Sequence, residues 1–590
     1  PGVTLRDYGG AGGLKTVSVR GFGASHTGVV YDGVVLSDVQ DGQIDLSRYA
    51  LDNVSSLTLA VGDNEDIFGP ARLAASAATL SISSFVPNLG DDTPANTLVA
   101  QVKGGSFGYI SPYLRLGHRW SDRSATMFAG EMTHTMNDYP FTLRNGDLVT
   151  REKRNNSRMN SGHVEVNHLW KPTSRSSLTA KVYWYDNSRQ LPGPVIYYNN
   201  INNEHLRESN LFGQVSWRNA FNSRWSMQAT AKGSWNRSLY HDRNGKYPGG
   251  VLDQNYYQRE AYATASALWL PVDGLAVSYA ADYAFNNLNS NLPTDTKPLR
   301  HSLLQSLTGR WRTSRVTLTA RILHSLYLNG ARAGSPMADA RRFSPSASVS
   351  FKPIRGEELH LRASYKNIFR MPTFNEAYFD HYGSIELKPE STDQFNVGAT
   401  WSPRPRAWLS DLLVTVDVYH NRVRDMIVAV PYNMFIWNMT NVGSVRVLGV
   451  DATATATFPI PAHGQDIVFS GNYSYQHASP RLPDGKGGRQ LAYVPRHSGT
   501  GSVTWENPWV CVAMRLTAVS HRFTVSNNTP GSRMAGYAET GASLWHTFTL
   551  RGHELMLRGD AVNLLDKQYE VVARYPMPGR SFYLSLRFTL

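Results

Sequence analysis

A single cysteine, Cys511, in 590 residues excludes an intramolecular disulfide framework and any cysteine-rich metal centre. Flanked by Val510 and Val512 in a strand-like stretch, it reads as an inert packing or lumen position. Long hydrophobic runs are also missing, and none approaches the roughly 18 apolar residues that a spanning helix needs. Only 41% of residues are hydrophobic and the mean hydropathy is −0.36, which argues against a helical membrane protein. The formal charge of +13 comes from arginines scattered at alternate positions rather than gathered on helices, a pattern that suits a polar lumen or anionic headgroups better than nucleic acid. No nucleophile–base pair or metal-ligand spacing stands out: His118, Ser121 and Asp122 lie beside an ordinary turn, and no enzymatic site is expected. The sequence opens at Pro1 without a secretion signal, so export is inferred from pattern and a cleaved leader is expected upstream.

What is abundant is alternation. From about Thr97 onward the chain repeats a two-residue-period strand, a turn, a second strand and a long polar loop. Leu178, Ala180, Val182 and Trp184 share one face while Thr179, Lys181 and Tyr183 share the other. Val316, Leu318, Ala320 and Ile322 likewise oppose Thr317, Thr319 and Arg321, and Val414, Val416 and Val418 oppose Thr415 and Asp417. Short links such as 171–175 and 271–274 alternate with long ones at 135–160, 186–207, 236–258, 328–342, 425–442, 477–492 and 566–580. Short turns on one side and long loops on the other describe a transmembrane β-barrel, whose lumen-facing polar residues dilute the average hydropathy. Roughly 500 residues at about 22–23 per strand and loop give ~22 antiparallel strands, the size class that holds a plug. The 30 Tyr and 14 Trp suit aromatic girdles. A β-propeller or a set of sandwiches would show a fixed-period repeat or two buried sheet faces, and neither is seen. In the last strand Leu584, Leu586, Phe588 and Leu590 oppose Tyr583, Ser585, Arg587 and Thr589, and closure onto the first barrel strand gives that edge a partner.

Residues 1–90 differ from the barrel, 91–590. Gly9, Gly10, Gly12, Gly13, Gly21 and Gly23 crowd a short stretch, and Thr16–Arg20, Thr27–Tyr31 and Ser56–Ala60 read as short strands. Asp45–Leu51 has helix-like spacing with Asp45 as a cap, and Ala71–Ala78 is rich in small residues. A small α/β domain is expected there. In the order in which they occur, Val19-Arg-Gly-Phe-Gly-Ala-Ser-His26, Val30-Tyr-Asp-Gly-Val34, Asp45-Leu-Ser-Arg48, and Asn53-Val54 through Val61-Gly62 resemble the plug of TonB-dependent outer-membrane transporters. Phe369-Arg-Met-Pro-Thr-Phe-Asn-Glu376, Leu387-Lys-Pro-Glu390, Val447-Leu-Gly-Val450, Asn563-Leu-Leu-Asp566 and Gly579-Arg-Ser-Phe-Tyr583 resemble that family's barrel markers. The run Ile67–Arg72 followed by Ala77–Ile82 departs from the family's glycine-rich pattern, and the chain ends on Leu590 rather than an aromatic residue.

The resemblance implies a Gram-negative outer-membrane protein that binds substrate at the plug apices and outer loops. It implies energisation by TonB with ExbB and ExbD, through a TonB box expected before Pro1. The chain is most similar to the cobalamin (corrinoid) transporters of Bacteroidetes type, through Gly9–Leu14, Gly23–His26, Ser37–Gln43 and Asp66–Arg72. Substrate contacts are accordingly expected at Tyr8, Gly10, Ala11, Gly12, Ser37, Asp38, Gln40, Asp41 and Gln43, and at Tyr378, His381 and Tyr382 in the loop after Pro372. Small polar residues can pair with the many corrinoid amides at close approach, and Tyr8 can pack on the macrocycle. No resident cofactor is expected. Calcium is not expected either, since Asp138, Asp147, Glu152, Asp186, Glu204 and Glu208 are scattered rather than clustered. A surface cobalamin-binding lipoprotein acting as a lid is expected instead, with the aromatic run Tyr432–Trp437 as one contact. A haem receptor is the alternative, with His381 and His26 as its histidines, and a ferric siderophore receptor comes third.

Overall fold

The computed structural model describes residues 2–62, 66–90, 94–145, 147–195, 202–244, 247–380, 382–431, 437–460, 464–481 and 489–590. Alternation produces the wall: 22 antiparallel strands, from Asn96–Gly105 to Ser581–Thr589, close into one barrel. Closure pairs the last strand with the first, Tyr583 opposite Gly105 and Thr589 opposite Val99. This removes the edge that a chain ending within an amphipathic strand would otherwise expose. No helix among the described residues is long and apolar enough to cross a membrane; the crossing is made by strands.

The two faces separate as the sequence pattern requires. Along Ser176–Leu191, Val182 and Trp184 face outward while Lys181, Tyr183, Tyr185, Asn187 and Arg189 are buried in the lumen. Two-residue turns, such as 122–123, 174–175 and 273–274, lie at one end, and the long loops at the other. Trp120, Trp170, Trp225, Trp269, Trp311, Trp401, Trp408, Trp505 and Trp509 are exposed near the short-turn end, where one aromatic girdle forms. Some long loops carry structure that their polarity hides: Pro140–Asn145 pairs with Leu148–Lys153, and Glu570–Val572 with Tyr575–Pro576.

The N-terminal segment lies inside this wall. Strands β1 (Val3–Asp7) and β2 (Lys15–Val19) form a hairpin. Strands β3 (Thr27–Tyr31), β4 (Val34–Val35), β5 (Val54–Val61) and β6 (Ala78–Ser84) form a sheet in the order β4-β3-β6-β5, with β3 and β6 parallel. The β3–β4 turn places Asp32 at φ 47° and Gly33 at φ 81°, the left-handed pair that suits a two-residue hairpin. The helical expectation for Asp45–Leu51 is corrected. Two three-residue 3₁₀ turns, Leu46–Arg48 and Leu51–Asn53, stand there, with Asp45 capping the first through the Ser47 amide at 3.0 Å. The α/β reading is corrected with it: among the described residues of this segment there are strands and 3₁₀ turns but no α-helix.

The segment's apolar residues find their partners in the barrel wall. Val29, Tyr31, Leu36, Tyr49 and Ile82 pack against Tyr183, Tyr185 and Phe212. Phe22 and Ala77 pack against Tyr419, Val445 and Val447, and Ala71 and Ala74 against Ala280, Leu304 and Leu323. The small residues of 71–78 are thus explained by close approach to the wall.

Candidate functional site

Buried ion pairs hold the N-terminal segment to the wall. Arg20, at φ 52°, reaches Asp451 at 2.7 Å and stacks over the Tyr419 ring at 4.3 Å. Lys181 of the wall is ion-paired with Asp32 and with Glu165, the latter at 3.2 Å, while the Tyr31 hydroxyl donates to Glu165 at 2.7 Å. Asp282 accepts from the Ala71 and Arg72 amides at 3.0 and 2.8 Å, and the Arg72 guanidinium pairs with Glu260 at 3.1 Å. Removing such charges from water is costly unless each is paired, so these contacts fix position more than they add stability.

Above the clamps, two turns of the segment point toward the long-loop end. The first, 8–14, joins β1 to β2. Its glycines are required by close packing: a Cβ on Gly10 would stand 2.4 Å from Asn137 Oδ1, and one on Gly12 3.3 Å from the Ser157 carbonyl. Gly10, Ala11 and Gly12 are accordingly half-buried under the outer loops, and Tyr8 meets Tyr575 edge-on at 5.4 Å.

The second turn, 37–43, is built on Asp38, whose carboxylate accepts from the Gln40 and Asp41 amides at 3.0 Å each. It docks on α1 (Phe374–Tyr378), a helix in the loop after Arg370. The Phe374 and Asn375 amides donate to the Val39 and Gln40 carbonyls at 2.8 and 2.9 Å. The Asn375 side-chain amide donates to the Asp41 carboxylate, and Gln258 donates to Gln40 Oε1 at 3.1 Å and to Asp38 at 3.2 Å. Gln40 is thereby buried as a structural partner, Ser37 and Asp38 are half-buried, and Asp41 and Gln43 are exposed at the mouth. Helix α1 begins in a capping box in which Thr373 accepts from the Glu376 amide at 3.1 Å and Glu376 accepts from the Thr373 amide at 2.7 Å. Arg370 grips Glu376 through two bonds of 2.9 and 3.1 Å and donates to Glu390 at 2.7 Å; Glu390 in turn meets His26 at 2.7 Å. A continuous chain of polar side chains therefore links the interior of the segment to the helix that carries its apex.

Arg189 of the wall links the first turn to Asp45, just past the second, pairing with Asp45 at 2.8 Å and Glu208 at 2.6 Å and reaching the Gly12 carbonyl at 3.5 Å, while Asp45 accepts from the Lys15 amide at 3.2 Å. Arginine charge holds Asp45 below the usual carboxylate range even though burial works against it. Tyr378 is spent on structure, its hydroxyl accepting from the Met337 amide at 2.8 Å. Tyr382 stacks on Phe379 at 5.7 Å, and His381 and residues 432–436 lie outside the described residues. Sequence reasoning did not single out Arg370, Asn375, Glu390 and Gln258. The first three lie within quoted motifs, whereas Gln258 sits in a strand and gives no signal. A polar cavity of about 200 Å³ lies beneath the second turn, lined in part by Arg72, Arg300, Arg370 and Thr373.

Residues 38–564 match the family described as "TonB dependent receptor-like, beta-barrel". Over 604 aligned residues the chain is 20% identical to the vitamin B12 transporter BtuB of Vibrio vulnificus (strain YJ016), covering 100% of this chain and 88% of that protein. Similar solved structures include the copper transporter OprC, with a TM-score of 0.80 at 16% identity, covering 100% of this chain and 94% of that one. Another is the FrpB iron transporter of Neisseria meningitidis, with a TM-score of 0.78 at 12% identity, covering 100% and 95%.

Proposed function

The chain belongs to the TonB-dependent receptor-like β-barrel family, and from that premise we propose that it imports cobalamin or a related corrinoid across the outer membrane. It is an outer-membrane transporter rather than an enzyme, and its family works with TonB. In this reading residues 1–90 are the plug and 91–590 the barrel, ExbB and ExbD energise TonB, and a surface lipoprotein closes over the loops. The observation that carries the substrate assignment is the apex 37–43, which presents the Asp41 and Gln43 side chains to the mouth on a rigid Asx turn. A corrinoid's rim of amides needs donors and acceptors held at fixed spacing, and an apex anchored on α1 supplies them without further ordering cost. Full-length likeness to a vitamin B12 transporter supports the same choice.

Ser37, Asp38, Asp41, Gln43 and the 8–12 turn are assigned as substrate contacts, with Tyr8 and Tyr382 offering rings. Gln40 and Tyr378 hold the site in shape. Calcium has no part in this reading, and two of the acidic residues of the neighbouring loops are drawn into ion pairs: Glu208 with Arg48 and Arg189, and Asp186 with Arg207. A haem receptor is the second reading, since His381 lies in the apical loop. His26 does not support it, being buried against Glu390.

Titration of the purified protein with cyanocobalamin and with haemin tests the assignment. Nanomolar cyanocobalamin binding is expected, weakened when residues 37–43 are replaced by Gly and Ser. Saturable haemin binding without corrinoid binding overturns the substrate, unchanged affinity in the replaced variant removes the 37–43 loop from the site, and uptake that persists without TonB overturns active import.

A further inference from the structure

The geometry points to a binding site for the phosphate of an anionic outer-leaflet lipid on the outside of the barrel, formed by Arg422 and Arg446. Arg422 of strand Asp411–Pro431 stands directly opposite Arg446 of strand Trp437–Ile460. Both side chains are exposed, and both face outward with Val416, Val418 and Leu448. Like charges directly across an antiparallel pair repel, so the arrangement is unfavourable without an anion between them. No ion pair to either arginine is found among the described residues. Asp393 stands opposite Arg422 on its other side, but its carboxylate is already engaged: it accepts from Arg424 at 2.8 Å, from the Tyr365 hydroxyl at 3.0 Å and from Asn367 at 2.8 Å.

Height on the barrel selects the anion. Around these strands the lower aromatic belt is Trp408 stacked on Phe458, and the upper is Tyr365, Phe395 and His420, with centroids 5.0 and 6.5 Å apart in succession. Ten residues, from Ser410 to His420, separate the belts; at about 3.3 Å per residue on a strand tilted about 45° they span roughly 23 Å, close to the ~25 Å apolar band of such barrels. Arg422 and Arg424 lie two and four residues beyond the belt, roughly 5 and 9 Å higher, at headgroup level. Ser444, Ser479 and His477 flank them on the outward side of the neighbouring strands. The patch is on the outer circumference rather than at the mouth, so a lipid reaches it and transported substrate does not. Guanidinium groups bind phosphate oxygens through paired hydrogen bonds and stay charged at any working pH.

The test places wild type and Arg422→Gln/Arg446→Gln in phosphatidylcholine nanodiscs, alone or with phosphatidic acid or oleate, and compares retained lipid by native mass spectrometry and heat stability. Wild type is expected to retain phosphatidic acid over phosphatidylcholine and to melt higher in its presence, with retention falling about tenfold in the variant as paired charge-assisted bonds are lost. In neutral detergent the order should reverse or vanish, because the substitutions relieve repulsion. Equal phosphatidic acid retention by the two proteins overturns the site, as does a variant that is less stable than wild type in neutral detergent. Equal retention of oleate and phosphatidic acid by wild type overturns the assignment of phosphate.

Discussion

At the mouth of the barrel, the Asp41 backbone amide donates to the Asp38 carboxylate and the Asp41 carboxyl accepts from the Asn375 side-chain amide. Enclosure by protein, and after it the Asp38 charge, raise its pKa from 3.8 to about 7; Asn375 and Arg48 oppose this shift, and Glu208 adds to it. Between about pH 4 and 7 the folded chain therefore holds a proton that the unfolded chain releases, so stability should fall as pH rises through that window and level off above it. The side chain still meets water, which limits the size of the effect. Thermal melts of wild type and Asp41→Asn at pH 5 and pH 8 check this: the variant should lose the slope, and an identical slope in both would assign it to another group. Lys181 makes a larger demand. It is the wall's cation for both Asp32 and Glu165, two carboxylates that approach from opposite partners. Lys181→Ala leaves them buried without compensation and should cost about 3–5 kcal/mol. Faster amide exchange in β3 and β6 is the expected signature, and a loss below about 1 kcal/mol would mean that water replaces the ammonium. None of these pairs was legible in the sequence. Asp32 and Lys181 are far apart in the chain, and nothing in either one's neighbourhood names the other.

Among the elements, α1 is short and held by partners on both sides. Its five residues cannot persist alone, since helix nucleation is unfavourable at that length. The Thr373–Glu376 box and the Arg370 fork hold its start, and its first two amides hold the apex. Thr373→Ala should remove about 1 kcal/mol of capping. The loosening should reach across the contact, with faster hydrogen exchange at residues 39–42 as well as at 374–378; exchange confined to α1 would show that the apex stands without it. The sequence showed the barrel strands because burial on one face imposes period two over many residues. It misread Asp45–Leu51 because a pair of 3₁₀ turns places apolar residues three apart, as a short helix does. The hairpin within 140–153 was hidden for a related reason: its outer strand is exposed on most positions and carries no apolar face. The apex loops were found by resemblance, but which of their residues support the turn and which face the mouth depends on Gln258 and α1. Those partners are remote in sequence.

For the whole molecule, closure is the condition on which every other contact rests. The final strand supplies the last hydrogen-bonded seam, and its outward residues Phe582, Leu584 and Leu586 meet lipid. Leu586 stands between Phe582 and Phe588 along the strand and pairs with Val102 on one side and Leu557 on the other, both also exposed outward. An arginine near mid-membrane on this face costs about 2–4 kcal/mol, whereas lumen positions tolerate polarity. Leu586→Arg should therefore lower the stability of the barrel in lipid vesicles by about that amount and reduce the fraction that reaches the compact, heat-modifiable form. Arg587→Gln, one residue along and facing the lumen, should change stability by less than about 0.5 kcal/mol. The contrast between adjacent positions is what matters. A strand with both faces in water would show the two substitutions to be alike, and equal losses would refute the assignment of faces at the seam. Since the apolar core of the N-terminal segment is completed by wall residues such as Tyr183, Tyr419 and Leu304, a barrel that fails to close should also leave that segment unfolded. Loss of exchange protection in β3–β6 in the Leu586→Arg protein that stays open would show the two parts folding as one cooperative unit.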